Sequence, residues 1–324
     1  MSRQLLLLRH AKSDWSIDNS DFDRPLKNRG KRAAQRMGAW MRQQLLIPDY
    51  IISSPAERAR TTAEKLCKAM GLTTRQIHFD NRLYASSSKD LKAVLSTCPK
   101  DAKKVLLIGH NPGLEELLQQ LHKGRLTRPD DDKLLPTATL AVIDMPNNWH
   151  NLSNHCAKVI SITRPSSLDK NFPFNGLTGL ELRKRPAYYY SQSAAIPYRV
   201  VNKQLEVLVI SSSGNNHWGV PKGIIEPGYT ASASAAIEAW EEAGIKGIIS
   251  EQMLDYYQYQ KWGGTCTVQV FPMTVTDMVG DSEWEENHRS REWLPLKKAS
   301  SLIKQQALQT TLLKLDTIVT NRTT

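Results

Sequence analysis

The stretch Leu5-Leu6-Leu7-Leu8-Arg9-His10 decides the fold of the first half of the chain. Four consecutive apolar residues followed by two polar ones are typical of a short buried strand that ends at a polar edge of its sheet. Two further short apolar runs, Tyr50–Ser53 and Val105–Ile108, have the same character, and a longer helical pattern separates each run from the next. This alternation of strands and helices predicts a parallel α/β sheet that is covered on both faces.

The rest of the first half continues the alternation. The predicted strands are Leu140–Met145 and Val159–Thr163, and the predicted helices are Arg29–Leu46, Ala56–Met70 and about Leu114 to His122. In sheets of this kind, ligands collect at the carboxyl ends of the strands. The side chains that directly follow the strands are therefore the first candidates for a functional site.

The length of 324 residues is that of two domains, each able to bury its own core. We predict a first domain over residues 1–165, a linker rich in Pro, Gly, Ser and Asn over 166–195, and a second domain over 196–324. Strands and helices do not alternate regularly in the second domain, which indicates an α+β fold. Its predicted strands are Tyr198–Val201, Leu205–Ile210 and Thr265–Val275, and its predicted helices lie near 231–243 and 300–319.

The composition is that of a globular protein. Charged residues make up 23% of the chain and hydrophobic residues 40%, which excludes a disordered or collagen-like chain. No apolar run approaches the roughly 20 residues that span a bilayer. Four widely spaced cysteines without a C-x-x-C pair favour reduced thiols over a disulfide framework or a zinc site. We expect a cytoplasmic protein without a membrane partner.

The net charge of +11 is confined to residues 1–165, which carry 27 Lys and Arg against 16 Asp and Glu. Such an excess fits a solvated basic surface, a small phosphorylated substrate or a nucleic acid. No RNA- or DNA-binding signature with interleaved aromatic residues is present in the sequence. We therefore favour phosphorylated small molecules over nucleic acid as the partner.

Two imidazoles and two guanidiniums follow the first three predicted strands. Arg9 and His10 follow the first strand, Arg58 lies in the first turn of the helix after the second, and His110 follows the third. Each residue alone is more typical of packing or of a solvated surface. Together they are the groups that phosphoryl transfer needs, because a neutral imidazole attacks phosphorus while planar guanidiniums bind the equatorial oxygens bidentately.

These residues resemble the histidine phosphatase superfamily, and specifically its SixA-type phosphohistidine phosphatases. The resemblance covers about residues 4–165 and implies a parallel α/β fold like that of phosphoglycerate mutase, with no metal cofactor. It implies that His10 is the nucleophile that forms a phosphohistidine, and that Arg9, Arg58 and His110 form the phosphate pocket. The matching motifs are Leu7-Leu8-Arg9-His10, Asp23-Arg24-Pro25-Leu26, Arg29-Gly30, Ser54-Pro55 with Arg58-Ala59, Arg82-Leu83-Tyr84 and Gly109-His110-Asn111-Pro112-Gly113.

One feature of many superfamily members, a separate acidic general acid, is not evident. Near Arg82-Leu83-Tyr84, the chain continues with Ala85 and serines. Without a proton donor, leaving groups that depart easily are favoured, such as an imidazole or an activated phosphate. We expect ordinary alkyl phosphates to be poor substrates.

The second half contains a tight turn at Pro221–Gly228, followed by a helix of about 13 residues. Thr230 is its predicted N-cap and Gly244 its predicted stop. Three carboxylates at positions i, i+3 and i+4 share one face of this helix, namely Glu238, Glu241 and Glu242. Like charges at this spacing destabilise a helix. A divalent cation would remove that penalty, and carboxylate oxygens suit Mg²⁺ or Mn²⁺.

A solvated acidic face would explain the three glutamates alone, but the glycine turn at a fixed spacing before them favours a metal site. The whole segment resembles the Nudix box, G-x5-E-x7-R-E-U-x-E-E-x-G-U with U aliphatic, and the resemblance extends over about residues 195–320. It implies a mixed sheet between helices, catalysis by Glu238 and substrate binding by Lys222. The implied metal-site residues are Glu238, Glu241, Glu242 and Gly223. The form Trp218-Gly219-Val220-Pro221-Lys222-Gly223 is most similar to Nudix enzymes that act on dinucleoside or diphosphoinositol polyphosphates.

Two positions depart from the Nudix pattern. Tyr229 stands where the first Glu belongs, and Ile237 stands where the Arg that orients Glu238 belongs. Glu226 is a candidate replacement for the missing carboxylate. A further ligand or base is expected from a later loop, with Glu283, Glu285 and Glu286 as candidates.

Three interpretations remain open at the level of sequence. The leading one is a bifunctional phosphohydrolase that acts on small phosphorylated substrates, with a phosphohistidine protein as a further partner. In the second, a phosphohistidine phosphatase carries a degenerate Nudix domain that only senses a nucleotide. In the third, the chain is a non-enzymatic module that binds phosphate or nucleic acid through its basic surface.

Overall fold

The computed structural model describes residues 3–127, 129–176, 179–214 and 217–323, without the side chains of residues 318 and 320–323. The chain divides into two compact units, Met1–Pro186 and Ala187–Thr324. Each unit has its own principal sheet and its own hydrophobic core. The boundaries 1–165, 166–195 and 196–324 stay a prediction.

A mixed sheet forms the centre of the first unit. Its strands are β1 (Arg3–Arg9), β2 (Tyr50–Ser53), β3 (Ile77–Phe79), β4 (Lys104–Gly109), β5 (Leu140–Met145) and β6 (Lys158–Thr163). They lie in the order β3-β2-β4-β1-β5-β6. The first four are mutually parallel, whereas β5 is antiparallel to β1 and β6 is antiparallel to β5.

Two pairs of helices cover the two faces of this sheet. The helices are α1 (Asn28–Gln43), α2 (Glu57–Met70), α3 (Ser88–Leu95) and α4 (Gly113–Leu121). Leu6 and Leu8 of β1 belong to the core formed with α1 and α2. Leu5 and Leu7 belong to the core formed with α3 and α4. The leucine run is uninterrupted because alternate side chains of a strand point to opposite faces and both faces are buried.

The α/β class predicted for the first unit is confirmed, and the sheet differs from the expectation only at one edge. The sequence pattern predicts parallel strands throughout, but β5 and β6 are antiparallel. A parallel pair needs a crossover connection, usually a helix. The described residues between α4 and β5 form turns and coil instead of a helix.

The segment predicted as a linker contains regular structure. A hairpin of β7 (Phe172–Gly176) and β8 (Gly179–Arg183) lies within it, and Phe172 is buried. Strands of five residues that contain Gly and Pro give a weak alternating pattern, which explains why the sequence analysis did not predict them.

A second mixed sheet forms the centre of the second unit. Its strands are β9 (Ser191–Val201), β10 (Gln204–Ser211), β11 (Trp218–Gly219), β12 (Lys222–Ile224), β13 (Ile245–Ile249), β14 (Asp255–Lys261), β15 (Gly264–Met278) and β16 (Arg291–Pro295). The long strands β9 and β15 pair in parallel at its centre. The pairs that β10, β12, β13 and β14 make with these two strands are antiparallel.

Helices cover both faces of this sheet, as the resemblance to Nudix proteins implies. They are α5 (Ala231–Ala243), α6 (Leu296–Leu302) and α7 (Gln306–Thr323). Ala235, Ala239 and Ala243 bring α5 close to one face, and the other two helices share the core on the opposite face. The single helix predicted near 300–319 is therefore wrong, because Ile303 is extended and buries its side chain between two helices.

Candidate active sites

The carboxyl ends of neighbouring strands bring the predicted phosphatase residues to one rim of the first sheet. The backbone N–H of His10 donates to the carbonyl oxygen of Gly109 at 3.0 Å, which holds the end of β1 against β4. The ring centroids of His10 and His110 are 5.0 Å apart, and both rings are buried. Arg58 is buried at the first turn of α2, next to the same rim.

A hydrogen bond of the His10 ring shows which of its nitrogens carries the proton. Its Nδ1 lies 2.8 Å from the carbonyl oxygen of Ala11. A carbonyl oxygen only accepts hydrogen bonds, so Nδ1 carries the proton of the neutral ring. Nε2 then keeps the lone pair that a nucleophile needs.

Both imidazoles are held in their neutral form. Burial, His110 and the nearby Arg58 and Arg9 lower the pKa of His10 to about 3. Burial and the Arg58 guanidinium lower the pKa of His110 to about 4. Protonating either ring would place another positive charge in a buried site that already contains guanidiniums. The imidazole of His10 is therefore neutral at pH 7.

Asp21 is a residue of this site that the sequence analysis missed. Arg58 donates to the backbone oxygen of Asp21 and, over 2.9 Å, to its Oδ2. The Tyr84 hydroxyl donates to the same Oδ2 at 2.8 Å, and Arg24 pairs with Oδ1 at 2.8 Å. The loop before α1 thus holds the guanidinium of Arg58 in place. The only signal for Asp21 in the sequence is that it stands two residues before the motif Asp23-Arg24-Pro25-Leu26.

The environment of Asp21 does not make it the missing general acid. Desolvation acts in the opposite direction, but hydrogen bonds and charges from Tyr84, Arg58 and Arg24 lower the pKa of this carboxyl. A carboxylate held ionised by two guanidiniums is a poor proton donor. A cavity of about 460 Å³ opens at this point, with a lining that includes Asp21, Arg58, Tyr84, His110 and Glu116.

In the second unit, the helix that carries the three glutamates has the predicted limits. The Thr230 side chain accepts a hydrogen bond from the N–H of Ala233 at 3.2 Å, and Gly244 ends the helix with a left-handed φ of 62°. The Glu238 carboxylate lies directly against Gly223. A Cβ atom at residue 223 would be 1.7 Å from Glu238 Oε1, so only glycine leaves room for this carboxylate.

Two donors orient the carboxylate of Glu242. The backbone N–H of Lys222 donates to Oε2 at 2.8 Å, and Arg289 donates to Oε1 at 2.6 Å. Arg289 also pairs with Oε2 of Glu286 at 2.5 Å. The sequence analysis named Glu286 as a candidate but missed Arg289, because a contact across 47 residues leaves no local pattern.

The carboxylates of this site repel one another. Burial, followed by the charges of Glu242, Glu241, Glu286 and Glu226, raises the pKa of Glu238 to about 8. Burial also raises the pKa of Glu242, against the effect of Arg289 and the Lys222 N–H. Glu226 and Glu286 therefore lie close enough to influence Glu238.

The carboxylate oxygens of the glutamate site are chemically suited to bind a divalent cation. Across the described ranges, no three His, Cys, Asp or Glu side chains already stand in positions that could hold a metal ion. Crowded carboxylate oxygens are nevertheless the ligands that Mg²⁺ and Mn²⁺ prefer, and a divalent charge would relieve the repulsion that raises the pKa of Glu238.

A cavity of about 790 Å³ adjoins Glu242. Its lining includes Trp218, Lys222, Tyr257, Lys261, Arg289 and Lys304. The ammonium of Lys222 donates to Gln192 Oε1 at 3.0 Å and to the Tyr259 hydroxyl at 3.1 Å, and burial lowers its pKa. A lining that combines basic and aromatic side chains with the carboxylate of Glu242 suits a phosphorylated ligand bound through a cation.

Known proteins match each unit separately. The family model of the histidine phosphatase superfamily (branch 1) matches residues 5–86, and that of the NUDIX domain matches residues 191–314. Nudix hydrolase 12, mitochondrial, of Arabidopsis thaliana is 32% identical over 41% of this chain and 75% of its own length. Diphosphoinositol polyphosphate phosphohydrolase 3-alpha of Mus musculus is 30% identical over 36% of this chain and 71% of its own length.

Among solved structures, the protein histidine phosphatase SixA complexed with tungstate is 19% identical. The alignment covers 50% of this chain and 97% of that chain, with a TM-score of 0.43. No helix among the described residues is both long and apolar enough to cross a membrane. A cytoplasmic location stays a prediction.

The family matches of the two units indicate a phosphohydrolase. The chain belongs to the Nudix hydrolases through its second unit, and residues 5–86 of its first unit match the histidine phosphatase superfamily.

Proposed function

We propose that the first unit removes a phosphoryl group through a phosphohistidine on His10 without a metal. The second unit cleaves a diphosphate linkage of a nucleoside or inositol polyphosphate with the help of Mg²⁺ or Mn²⁺. The observation that carries this proposal is the neutral imidazole of His10, held by Ala11 with Nε2 available for attack. Around it lie the guanidiniums of Arg9 and Arg58 and the second imidazole.

The reaction of the first unit proceeds in two displacements. Arg9 and Arg58 bind the phosphoryl oxygens and stabilise their charge in the transition state. The Nε2 lone pair of His10 forms a bond to phosphorus while the bond to the leaving group breaks, and the leaving group departs with the bonding electrons. Water then attacks the phosphohistidine, which releases inorganic phosphate and restores the neutral ring.

We base the substrate preference on the environment of Asp21, the carboxyl group that contacts Arg58 and Tyr84. Asp21 is held ionised by its contacts with Tyr84 and the two arginines, so it does not protonate an alkoxide. Leaving groups that are stable without prior protonation by the enzyme are favoured, including activated phosphates. A phosphohistidine protein and small activated phosphates are the substrate classes that fit.

In the second unit, Glu238, Glu241, Glu242 and the carbonyl of Gly223 are the groups that would hold a divalent cation. A bound cation would supply charge neutralisation on the diphosphate oxygens and an activated water. Glu238, whose carboxylate lies directly against Gly223, is the group that would accept the proton of this water. The basic wall of the adjoining cavity would hold the remaining phosphates.

A paired assay tests the two activities in one preparation. We expect the full chain to dephosphorylate a phosphohistidine peptide in EDTA at least about 100-fold faster than a sugar phosphate, since only the peptide has a good leaving group. We expect cleavage of a nucleoside or inositol polyphosphate to need Mg²⁺ and to be lost in Glu242→Gln. Phosphate release and polyphosphate products are followed by malachite green and by chromatography.

Three outcomes would contradict parts of this proposal. Equal rates on the peptide and the sugar phosphate would show that the leaving group does not determine the substrate preference of the first unit. Tight binding of a polyphosphate without cleavage would favour a sensing Nudix domain. Binding without turnover in either assay would favour the non-enzymatic module.

The protonation of the two imidazoles gives a separate prediction. We expect the ring signals of His10 and His110 to show little protonation between pH 7 and pH 5, because their pKa values lie near 3 and 4. In the same range the unfolded chain takes up these protons near its ordinary pKa of about 6.5. The free energy of unfolding should therefore decrease as the pH falls below 6.5.

The measurement is an NMR titration of ¹³C-labelled histidine, with His10→Ala and His110→Ala variants to assign the two signals. Protonation of either ring near pH 6.5 would show that burial and the guanidiniums do not lower its pKa, and the expected loss of stability below pH 6.5 would have to be abandoned for that ring.

A further inference from the structure

Arg289 occupies a central place among the carboxylates of the second unit. It lies in the loop between β15 and β16, and its side chain is 11% exposed. Its Nη2 is 2.6 Å from Glu242 Oε1, and its Nε is 2.5 Å from Glu286 Oε2. Nη1 donates to the backbone oxygen of Ser211 at 3.1 Å. One guanidinium therefore joins α5, a loop glutamate and the end of β10.

The helix itself offers no comparable cation next to these glutamates. Ile237 precedes Glu238 and is 37% exposed, so it contributes neither charge nor a hydrogen bond. The remaining donor to Glu242 is the backbone N–H of Lys222, on its other oxygen. The orientation of Glu242 in the described structure thus depends on one backbone group and one side chain from a distant loop.

We propose that Arg289 is the positioning residue of the glutamate site, and that it orients Glu242 and Glu286 for a divalent cation. This inference rests on the metal-dependent activity proposed above. A planar guanidinium with donors on several nitrogens can bind two carboxylates at once, and Ser211 fixes its plane. By pairing with two carboxylates, it also offsets part of the repulsion in the cluster. Groups that orient metal ligands in this way typically change metal affinity 10–100-fold when they are removed.

The test compares Arg289→Ala and Arg289→Lys with the unchanged full chain. Mn²⁺ binding is measured by calorimetry without substrate, and kcat and KM are measured separately on the polyphosphate that the wild type cleaves. We expect Arg289→Ala to weaken Mn²⁺ binding by about 10-fold or more and to lower kcat with KM changed less than about threefold. The Mn²⁺ affinity and kcat of Arg289→Lys should lie between those of the wild type and Arg289→Ala, because an ammonium keeps the charge but lacks the planar fork of a guanidinium.

A matched control is Arg199→Ala. Arg199 pairs with Glu206 at 2.7 Å across the β9–β10 pair and is absent from the lining of the cavity. It should leave Mn²⁺ affinity and kcat unchanged. Circular dichroism and thermal unfolding check that each variant is folded. If Arg289→Ala does not fold, Arg289→Lys carries the comparison.

Each other outcome is informative. Unchanged Mn²⁺ affinity and kcat in folded Arg289 variants would overturn the positioning role. A rise in KM alone would make Arg289 a substrate-binding residue, and tighter Mn²⁺ binding would show that the guanidinium competes with the cation. A wild type that binds no Mn²⁺ and cleaves no polyphosphate would instead refute the proposed Nudix activity itself, and the inference with it.

Discussion

His10→Ala is expected to reduce metal-independent phosphate release by about 10⁴-fold or more. Removal of a nucleophile that forms a covalent intermediate typically has an effect of this order or larger. The Nε2 atom of His110 is 2.9 Å from the Ser54 hydroxyl, which holds this second ring beside His10. Removing a buried ring also leaves a cavity, so the variant is compared by thermal unfolding before its activity is measured.

The measurement uses a phosphohistidine peptide in EDTA, with rapid quenching to trap the phosphorylated protein. The labelled intermediate should form on the wild type and be absent from His10→Ala. His150→Ala is the control, because His150 is exposed and lies outside the cavity lined by Arg58 and His110. Mg²⁺-dependent polyphosphate cleavage in His10→Ala should equal that of the wild type, which provides an internal control.

Two results would contradict the role of His10. Undiminished phosphate release in EDTA would place the nucleophile elsewhere. A labelled intermediate that persists in His10→Ala would show that another side chain is phosphorylated.

The sequence was sufficient to place the predicted phosphatase residues at one rim of the sheet, because they follow strands. Apolar runs mark the strands, and the carboxyl ends of adjacent parallel strands meet at one edge. Arg9, His10 and His110 could therefore be placed together before the structure was known, and Arg58 follows from the helix after β2. For these residues, the local sequence pattern and the sheet topology both indicate the same position at the edge of the sheet.

Asp21 and Arg289 could not be predicted in this way. Asp21 meets Arg58 across 37 residues from a loop without regular structure, and Arg289 meets Glu242 across 47 residues. Neither loop has a periodicity that fixes where its side chains point. The orientation of such residues depends on tertiary packing, which a single sequence does not show.

The errors in the predicted fold also arise because tertiary packing is not evident from local sequence patterns. An apolar run predicts a strand but does not give its direction, so the antiparallel β5 and β6 were expected to be parallel. The hairpin of β7 and β8 and the break between α6 and α7 also depend on single buried side chains, Phe172 and Ile303. The helices α1 and α2, which have strong periodicity, were predicted closely, and the limits of α5 followed from Thr230 and Gly244 at its ends.

Gly223→Ala is expected to lower Mg²⁺-dependent polyphosphate cleavage by about 10²- to 10³-fold while the protein stays folded. The added Cβ would lie 1.7 Å from Oε1 and 1.9 Å from Cδ of Glu238, so the carboxylate must move away. The end of a glutamate side chain can move by rotation without disturbing the backbone, and the cost in stability should be small. A misplacement of about 1 Å in a catalytic group can reduce the rate about 100-fold.

The experiment measures kcat, KM and Mn²⁺ affinity of Gly223→Ala beside the thermal unfolding temperature. Gly280→Ala is the matched control, because its Cβ would meet the nearest atom, on Glu283, at an ordinary 3.4 Å. A second variant, Glu238→Gln, removes the charge of the displaced group without adding a Cβ at residue 223. If displacement of Glu238 is the cause, combining the two substitutions should cost little more than the larger single effect.

Full activity in Gly223→Ala would mean that the position of the Glu238 carboxylate against β12 is not used in the reaction. Effects that multiply in the double variant would show that the glycine acts independently of Glu238, through the path of the backbone alone. A large loss of thermal stability in Gly223→Ala would show that the turn, and not the carboxylate, gives way to the added methyl group. The packing of Gly223 against Glu238 is supported as a requirement for catalysis by one result only. In that result Gly223→Ala is folded and inactive, and its loss of activity does not add to that of Glu238→Gln.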